Sequence, residues 1–350
     1  MAAFPLPTPL LSLAEAYLLE SISIEDYRRI AQEINPCEIR THCHNPALSE
    51  IIAQSFSFPA AFYRVVRNSQ TLAIFWIHQA GKAQVSTPHL SYHSVQIDRA
   101  VQDEQAAIYL FIIKSFSQSE IRTFKTYTLG QYSEKVSSWL LLPESGKNLL
   151  GRFSNSMRRK IRKASQQTFE LKKGDRTKPP EEQENLLRDF HWVYRKRLKQ
   201  LGSPHLGIHF FRRLLKDYRP GEATVWVLYY RGKPVGAAFN LGFDEFLENG
   251  WFATLPAHQH LYPAYYLHWH MIQDAIQSAY RIYSFGRSTR ESGVHQFKRQ
   301  WKTTDVDLVW NYSNDLQTSR KSIPDLRTWW KRSPSFITRW LGPPIAARLY

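Results

Sequence analysis

The chain has 350 residues, of which 43% are hydrophobic, and a formal net charge of +16. A single core rarely organises so long a chain, so we expect two packed domains, and the hydrophobic content argues against an intrinsically disordered protein. The apolar segment 106–113 is far too short to span a membrane. The basic charge favours a phosphate-rich partner, which can be RNA or another nucleic acid, an anionic lipid surface or a nucleotide-linked substrate.

The N-terminus and the cysteines indicate a cytoplasmic protein. No positive charge precedes the first apolar residues and Glu15 follows them, which does not fit a signal peptide. Cys37 and Cys43 fit a reducing compartment and provide no disulfide framework. Together with His42 and His44 they invite a zinc interpretation, but their spacing is unlike that of common zinc sites, so we expect no metal.

Hydrophobic periodicity predicts helices and strands along the whole chain. The first half reads as helices over 13–34 and 46–56, strands over 62–67 and 71–78, a helix over 101–116, and strands over 121–129 and 136–142. The second half reads as helices over 181–201 and 209–218, strands over 223–230, 234–243 and 246–252, a helix over 263–280, and strands over 282–285 and 305–312. The similar order of elements in the two halves predicts a duplicated α+β unit.

A basic helix is predicted between the two halves, from about residue 147 to 164. Its apolar positions recur at helical spacing, and six cations without an acid lie between Arg152 and Lys163. We therefore divide the chain into an N-terminal unit over 1–145, a basic bridging helix over 146–166, a C-terminal unit over 167–312 and a basic, tryptophan-rich tail over 313–350.

The segment 285–301 combines a strand end, a polar loop and a short helix. Gly286 permits a turn and Ser292 suits a helix N-cap. Helical spacing predicts a buried face made of Val294, Phe297 and Trp301. The opposite face would carry cations next to Arg287: His295, Lys298, Arg299 and Lys302. Such a helix suits an anion, and the alternative is a solvated basic helix at the edge of a sheet.

The residues Phe285-Gly286-Arg287-Ser288, followed by Phe297-Lys298 and Trp301, resemble the FemAB-like branch of the GNAT superfamily, in particular its members associated with exosortase and exopolysaccharide systems. The basic run 158–164 and the segments 201–204, 210–211 and 232–238 resemble further motifs of that branch in the same order, so the resemblance covers about 147–312. It implies an acyltransferase made of tandem GNAT-like domains, each a mixed sheet flanked by helices, with a degraded first domain.

The resemblance and the placement of charge together suggest site residues. Arg287, Ser288 and Lys298 would line the site of an acceptor or a phosphate. Arg158, Arg162 and Lys163 would bind a second anionic group. The catalytic base stays unassigned, because Ser284 stands where related proteins commonly have an aspartate, and Ser91-Tyr92-His93-Ser94 stands where they tend to have a tyrosine and two glycines.

The acyl donor is open between acyl-CoA and aminoacyl-tRNA. GNAT enzymes typically bind the coenzyme A pyrophosphate at a glycine-rich turn before a helix. The equivalent stretch here, 254–263, contains no glycine, although His258 and His260 lie in it as weak candidates for cofactor binding. Acyl transfer itself requires no metal.

We expect an N-acyltransferase that moves an acyl or aminoacyl group to an amine of a sugar, amino-acid, cell-envelope or exopolysaccharide precursor. That acceptor would be an anionic small molecule or a lipid-linked substrate. The alternatives are an aminoacyl-tRNA-dependent transferase of the peptidoglycan type and a non-catalytic scaffold that binds nucleic acid or membrane. The tail interleaves aromatic and basic residues, which predicts peripheral binding to the inner face of the cytoplasmic membrane unless the tail packs on the protein.

Overall fold

The computed structural model describes residues 16–128, 131–146, 148–313 and 324–349. The chain divides into two compact units, the first made of Met1–Val136 and Asp307–Lys321 and the second of Ser137–Val306 and Ser322–Tyr350. Each unit has a mixed β-sheet with flanking helices, which confirms the predicted α+β class.

The helices and strands are numbered in chain order. The α-helices are α1 (Ile24–Glu33), α2 (Ala47–Phe56), α3 (Gln105–Lys114), α4 (Asn155–Ser165), α5 (Pro180–Leu201), α6 (Ile208–Asp217), α7 (Pro263–Gln277), α8 (Gly293–Arg299), α9 (Pro324–Arg332) and α10 (Ser335–Arg348). The strands are β1 (Leu18–Ile22), β2 (Ala60–Arg67), β3 (Gln70–Ala80), β4 (Ala83–Val85), β5 (Gln96–Ile97), β6 (Ser119–Thr123), β7 (Gln131–Leu141), β8 (Phe169–Gly174), β9 (Glu222–Tyr230), β10 (Lys233–Phe243), β11 (Phe246–Thr254), β12 (Ile282–Thr289) and β13 (Thr304–Tyr312). Within these ranges every helix is too short or too polar to cross a membrane.

The first unit orders its strands β1-β2-β3-β4-β6-β13, with β5 added to β3. The pair β4/β6 is parallel, and the other pairs are antiparallel. The predicted helix over 13–34 is wrong for Leu18–Ile22, which forms β1 and pairs with β2. The helix begins later because Ser23 caps it: the Ser23 Oγ accepts the N–H of Asp26 at 3.0 Å. Residues 13–15 lie outside the described ranges.

The second unit orders its strands β12-β11-β10-β9-β8, and β7 lies next to β12. Its sheet is covered on both faces, since adjacent residues of a strand point in opposite directions. Phe239 of β10 packs against Phe190 of α5 and Phe211 of α6. Its neighbour Ala238 belongs to the apolar cluster formed with α4 and α7.

The predicted basic helix is two elements rather than one. A 3₁₀ turn, Leu149–Arg152, comes first, and Ser154 then starts α4 by accepting the N–H of Met157 at 3.3 Å. The prediction rested on five apolar positions, of which four are buried in the core of the second unit and Leu150 is partly buried against it: Leu149, Leu150, Phe153, Met157 and Ile161. β8 was missed because its exposed residues are charged and it lies at the edge of the sheet.

Candidate active site

The strands β11 and β12 form a fork in the sheet of the second unit. They run parallel and pair from Phe246 opposite Ile282 to Glu248 opposite Ser284, although both strands continue for several residues beyond that point. On its other side β11 carries one extra residue, Gly250, against β10. A bulge bends its strand, so β11 turns away from β12 just beyond their last pair.

Beyond their last pair, both strands carry a buried polar atom without a hydrogen-bond partner among the described residues. These atoms are Asn249 Oδ1 on β11 and Ser288 Oγ on β12. The Asn249 side chain is fixed, because its Nδ2 donates to Asn240 Oδ1 at 2.6 Å. Buried polar atoms are nearly always hydrogen-bonded. The two atoms are therefore candidates for hydrogen bonds to a ligand, and Ser288 is one of the residues predicted from the sequence.

Lys298 reaches back from α8 to β12. Its Nζ donates to the backbone oxygens of Gly286 at 2.7 Å and Arg287 at 2.9 Å. Gly286 has a φ of +70°, and a Cβ at this position would lie 3.0 Å from Asn249 O on β11. Only glycine fits this backbone, so the turn predicted at Gly286 holds the two strands close where the fork begins.

The surroundings of Lys298 change the pKa of its amine. The residue is 6% exposed, and burial lowers the pKa of Lys298 to about 7. The Glu248 carboxylate opposes this decrease in pKa, the Arg287 guanidinium adds to it, and the Asp305 carboxylate again opposes it. Ammonium and neutral amine therefore coexist near pH 7. A neutral amine that donates to two carbonyls still has its lone pair, so Lys298 can accept a proton.

A buried carboxylate lies beside Ser284. Because Ser284 cannot act as a carboxylate base, the sequence had given no candidate for the catalytic base. Ser284 Oγ donates to Glu248 Oε2 at 3.1 Å, accepts the N–H of Gly286 at 3.0 Å and lies 3.1 Å from Ser137 Oγ on β7. Glu248 is 4% exposed. Sequence reasoning missed it because only the parallel register of β11 and β12 brings the two residues together across 36 positions.

The predicted faces of α8 are partly wrong. Val294 is 59% exposed, whereas His295 and Lys298 are buried together with Trp301. Hydrogen bonds to polar partners offset the free-energy cost of burying these polar side chains. His295 Nδ1 accepts the N–H of Glu291 at 3.0 Å, so Nε2 carries the hydrogen and donates to Asp305 Oδ2 at 2.8 Å. The predicted N-cap is confirmed, since Ser292 Oγ accepts the N–H of His295 at 3.3 Å.

The cations of α4 form a basic stripe, defined here as Arg158, Arg159, Arg162 and Lys163. Its last three members are exposed, and no carboxylate of the described residues lies within 4.0 Å of any member's charged group. The neighbouring Lys160 donates to Gln300 Oε1, just after α8, at 3.1 Å. The stripe thus lies on a helix that contacts the end of α8. The role predicted for Arg158, Arg162 and Lys163 stays a prediction.

The start of α7 offers little to a pyrophosphate. A 3₁₀ helix, Pro256–Leu261, precedes it, and His258 and His260 lie in that turn. Pro263 has no N–H, and the N–H groups of Tyr265 and Tyr266 both donate to Tyr262 O, at 3.1 and 3.2 Å. At most the N–H of Ala264 is left in the first turn. A helix N-terminus binds phosphate through several free N–H groups, so this one suits coenzyme A poorly.

The first unit contains polar groups of its own. Arg122, which is 2% exposed, pairs with Glu120 at 2.9 Å and donates to the backbone oxygens of Thr87 and Leu90. It thereby anchors the buried segment 86–95, which includes the residues that replace the family's glycines. Among the described residues, no group of three or more His, Cys, Asp or Glu side chains is arranged to hold a metal ion.

Comparison with known proteins supports the same architecture. Residues 151–299 match the family model of the acetyltransferase (GNAT) domain. FemX is similar in structure, with a TM-score of 0.59 and 10% identity over 83% of this chain and 96% of that chain. The C-terminal domain of a putative lysylphosphatidylglycerol synthetase from Agrobacterium fabrum gives a TM-score of 0.53 and 9% identity over 84% of this chain and 92% of that one.

A third similar structure is a tandem GNAT protein from the clavulanic acid biosynthesis pathway, with a TM-score of 0.50 and 8% identity over 85% of this chain and 99% of that one. No curated protein sequence matches the chain. At these identities the structural similarities establish the fold, and they confirm the prediction of tandem GNAT-like domains.

Proposed function

We infer that this chain is a FemAB-like acyltransferase of the GNAT superfamily and that it transfers an aminoacyl group from aminoacyl-tRNA to an amine of a cell-envelope precursor. The observation that carries this proposal is the position of Lys298: its amine, with a pKa of about 7, donates to the backbone oxygens of Gly286 and Arg287, just beyond the last pair of β11 and β12.

The chemistry requires one group that accepts and returns a proton. The acceptor amine attacks the carbonyl carbon of the aminoacyl ester, and a C–N bond forms. Lys298 Nζ takes the proton that the amine releases. As the intermediate collapses, the C–O bond to the tRNA ribose breaks, and the Lys298 ammonium returns the proton to the leaving oxygen. Burial, partly opposed by the Glu248 carboxylate and assisted by the Arg287 guanidinium, gives Lys298 the pKa that allows both steps.

Two features favour aminoacyl-tRNA over acyl-CoA as the donor. The first turn of α7 has at most one free N–H group for a pyrophosphate. Among the residues that the structure describes, no carboxylate lies within 4.0 Å of the charged groups of the basic stripe on α4, which suits a ligand with many phosphates. His258 and His260 then have no assigned ligand. The name of one similar protein, lysylphosphatidylglycerol synthetase, describes a lysyl group joined to a lipid, and this agrees with aminoacyl transfer.

The acceptor that we propose is a chemical class, an anionic precursor with a free amine. Arg287 and Ser288 would contact it at the fork, and an anionic precursor would suit the basic charge of the chain. A link to exosortase or exopolysaccharide systems stays a prediction of the resemblance.

The test is transfer from bulk tRNA charged with radiolabelled amino acids to a panel of amino sugars and nucleotide-linked peptide precursors. Labelled product should appear with charged tRNA, should disappear after ribonuclease treatment, and should not appear with labelled acetyl-CoA. Transfer from acetyl-CoA alone would overturn the choice of donor. Salt-dependent RNA binding without any transfer would instead support a non-catalytic scaffold.

A further inference from the structure

We propose that α9 and α10 form a docking face for an anionic lipid bilayer. The docking face is defined as the exposed side chains between Arg327 and Leu349. The proposal does not rest on the proposed transfer reaction, because it concerns a surface of the second unit that shares no residue with the fork.

One side of this tail is fastened to the second unit. Trp330 is 1% exposed, and Arg327 Nε donates to Leu201 O at 3.0 Å at the end of α5. On α10, Gly342 lies so close to His205 that a Cβ would come within 2.6 Å of its Nε2. The tail therefore packs on the protein, as one of the two interpretations of the sequence expected. It does not follow that its aromatic residues are covered.

The same tail also exposes large apolar groups. The exposed ones are Trp329 at 46%, Phe336 at 66%, Trp340 at 78%, Leu341 at 42% and Leu349 at 60%. They are half of the ten exposed large apolar side chains among the described residues, so the apolar exposure is concentrated here. Phe336 and Trp340 are one helical turn apart and project from the same side of α10.

Basic side chains alternate with these apolar groups along the sequence of the tail. From residue 327 to 349 the sequence has no Asp or Glu, and its five cations are all exposed: Arg327, Lys331, Arg332, Arg339 and Arg348. The centre of a protein–protein interface is usually poor in charge. Tryptophan and phenylalanine flanked by Lys and Arg instead match the interface of an anionic membrane, which binds both groups at once. Because of this charge complementarity, we assign an anionic bilayer as the partner of the docking face.

The test is sedimentation of the full chain with vesicles of phosphatidylcholine that contain about one third phosphatidylglycerol, compared with vesicles of phosphatidylcholine alone. The wild type should bind the anionic vesicles and should be released as salt rises. Phe336→Ala combined with Trp340→Ala should weaken binding about tenfold or more. Because both side chains are exposed, thermal unfolding should not change.

Two pairs of control substitutions distinguish binding through the docking face from a general effect of lost apolar groups or changed net charge. Leu18→Ala with Leu141→Ala removes two apolar groups elsewhere that are also more than half exposed and should leave binding intact. Lys331→Glu with Arg332→Glu should reduce binding, whereas Lys82→Glu with Lys114→Glu should not. Equal binding by wild type and the Phe336 and Trp340 variant would overturn the proposal. So would a wild-type dimer in light scattering that this variant dissociates while vesicle binding is absent.

Discussion

Replacing Lys298 with methionine should change how the stability of the second unit varies with pH. Burial lowers the pKa of this lysine from 10.5 to about 7. Between these two values the unfolded chain binds a proton that the folded chain does not, so the free energy of unfolding rises with pH in this window. From pH 7 to pH 9 the increase that comes from Lys298 is about 2 kcal/mol.

The assay is urea unfolding followed by tryptophan fluorescence at pH 7, 8 and 9. Methionine keeps most of the volume of the side chain but cannot ionise, so Lys298→Met should lose the increase of about 2 kcal/mol. Lys302→Met removes an exposed lysine four residues away and should keep the pH dependence of the wild type. A constant difference between the wild type and Lys298→Met over this range would refute the depressed pKa.

Three further predictions concern single side chains. Gly286→Ala should cost more stability than Gly232→Ala in chemical unfolding, because both glycines have a positive φ but only Gly286 faces a neighbouring backbone atom at 3.0 Å; equal losses would contradict the close approach. Trp330→Ala should cost about 3–5 kcal/mol in the same measurement, whereas a similar loss for the exposed Trp340→Ala would argue against the packing described. Ser288→Ala should leave the melting temperature unchanged but raise the KM of the transfer reaction several-fold, and an unchanged KM would remove this hydroxyl from the site.

The helices and strands that were predicted correctly are those whose sequence signals lie within the element itself or in the adjoining turn. α5, β9 and β10 agree with their predictions within two residues, because a helical apolar stripe and a short break between two apolar runs are local features. β1 was taken for helix because its pairing with β2 cannot be seen in its own residues.

In the candidate site, too, features that depend on neighbouring residues were predicted, and features that depend on distant residues were not. Gly286 and Ser292 were found because a turn and a cap depend on the backbone next to them. The burial of His295 and Lys298 instead depends on Asp305 and on the carbonyls of β12, which only the fold brings near. For the same reason Glu248 gave no signal before the register of β11 and β12 was known.

The most direct test of the central claim is the pH dependence of aminoacyl transfer in a single turnover, measured with a saturating acceptor. The rate should rise with pH through about 7 as Lys298 loses its proton, and then level off. Lys298→Met should lower the rate about 100-fold or more and should abolish this pH dependence, while Lys302→Met should match the wild type. If Lys298→Met keeps the wild-type rate and profile, Lys298 is not the proton acceptor and the proposed mechanism is wrong.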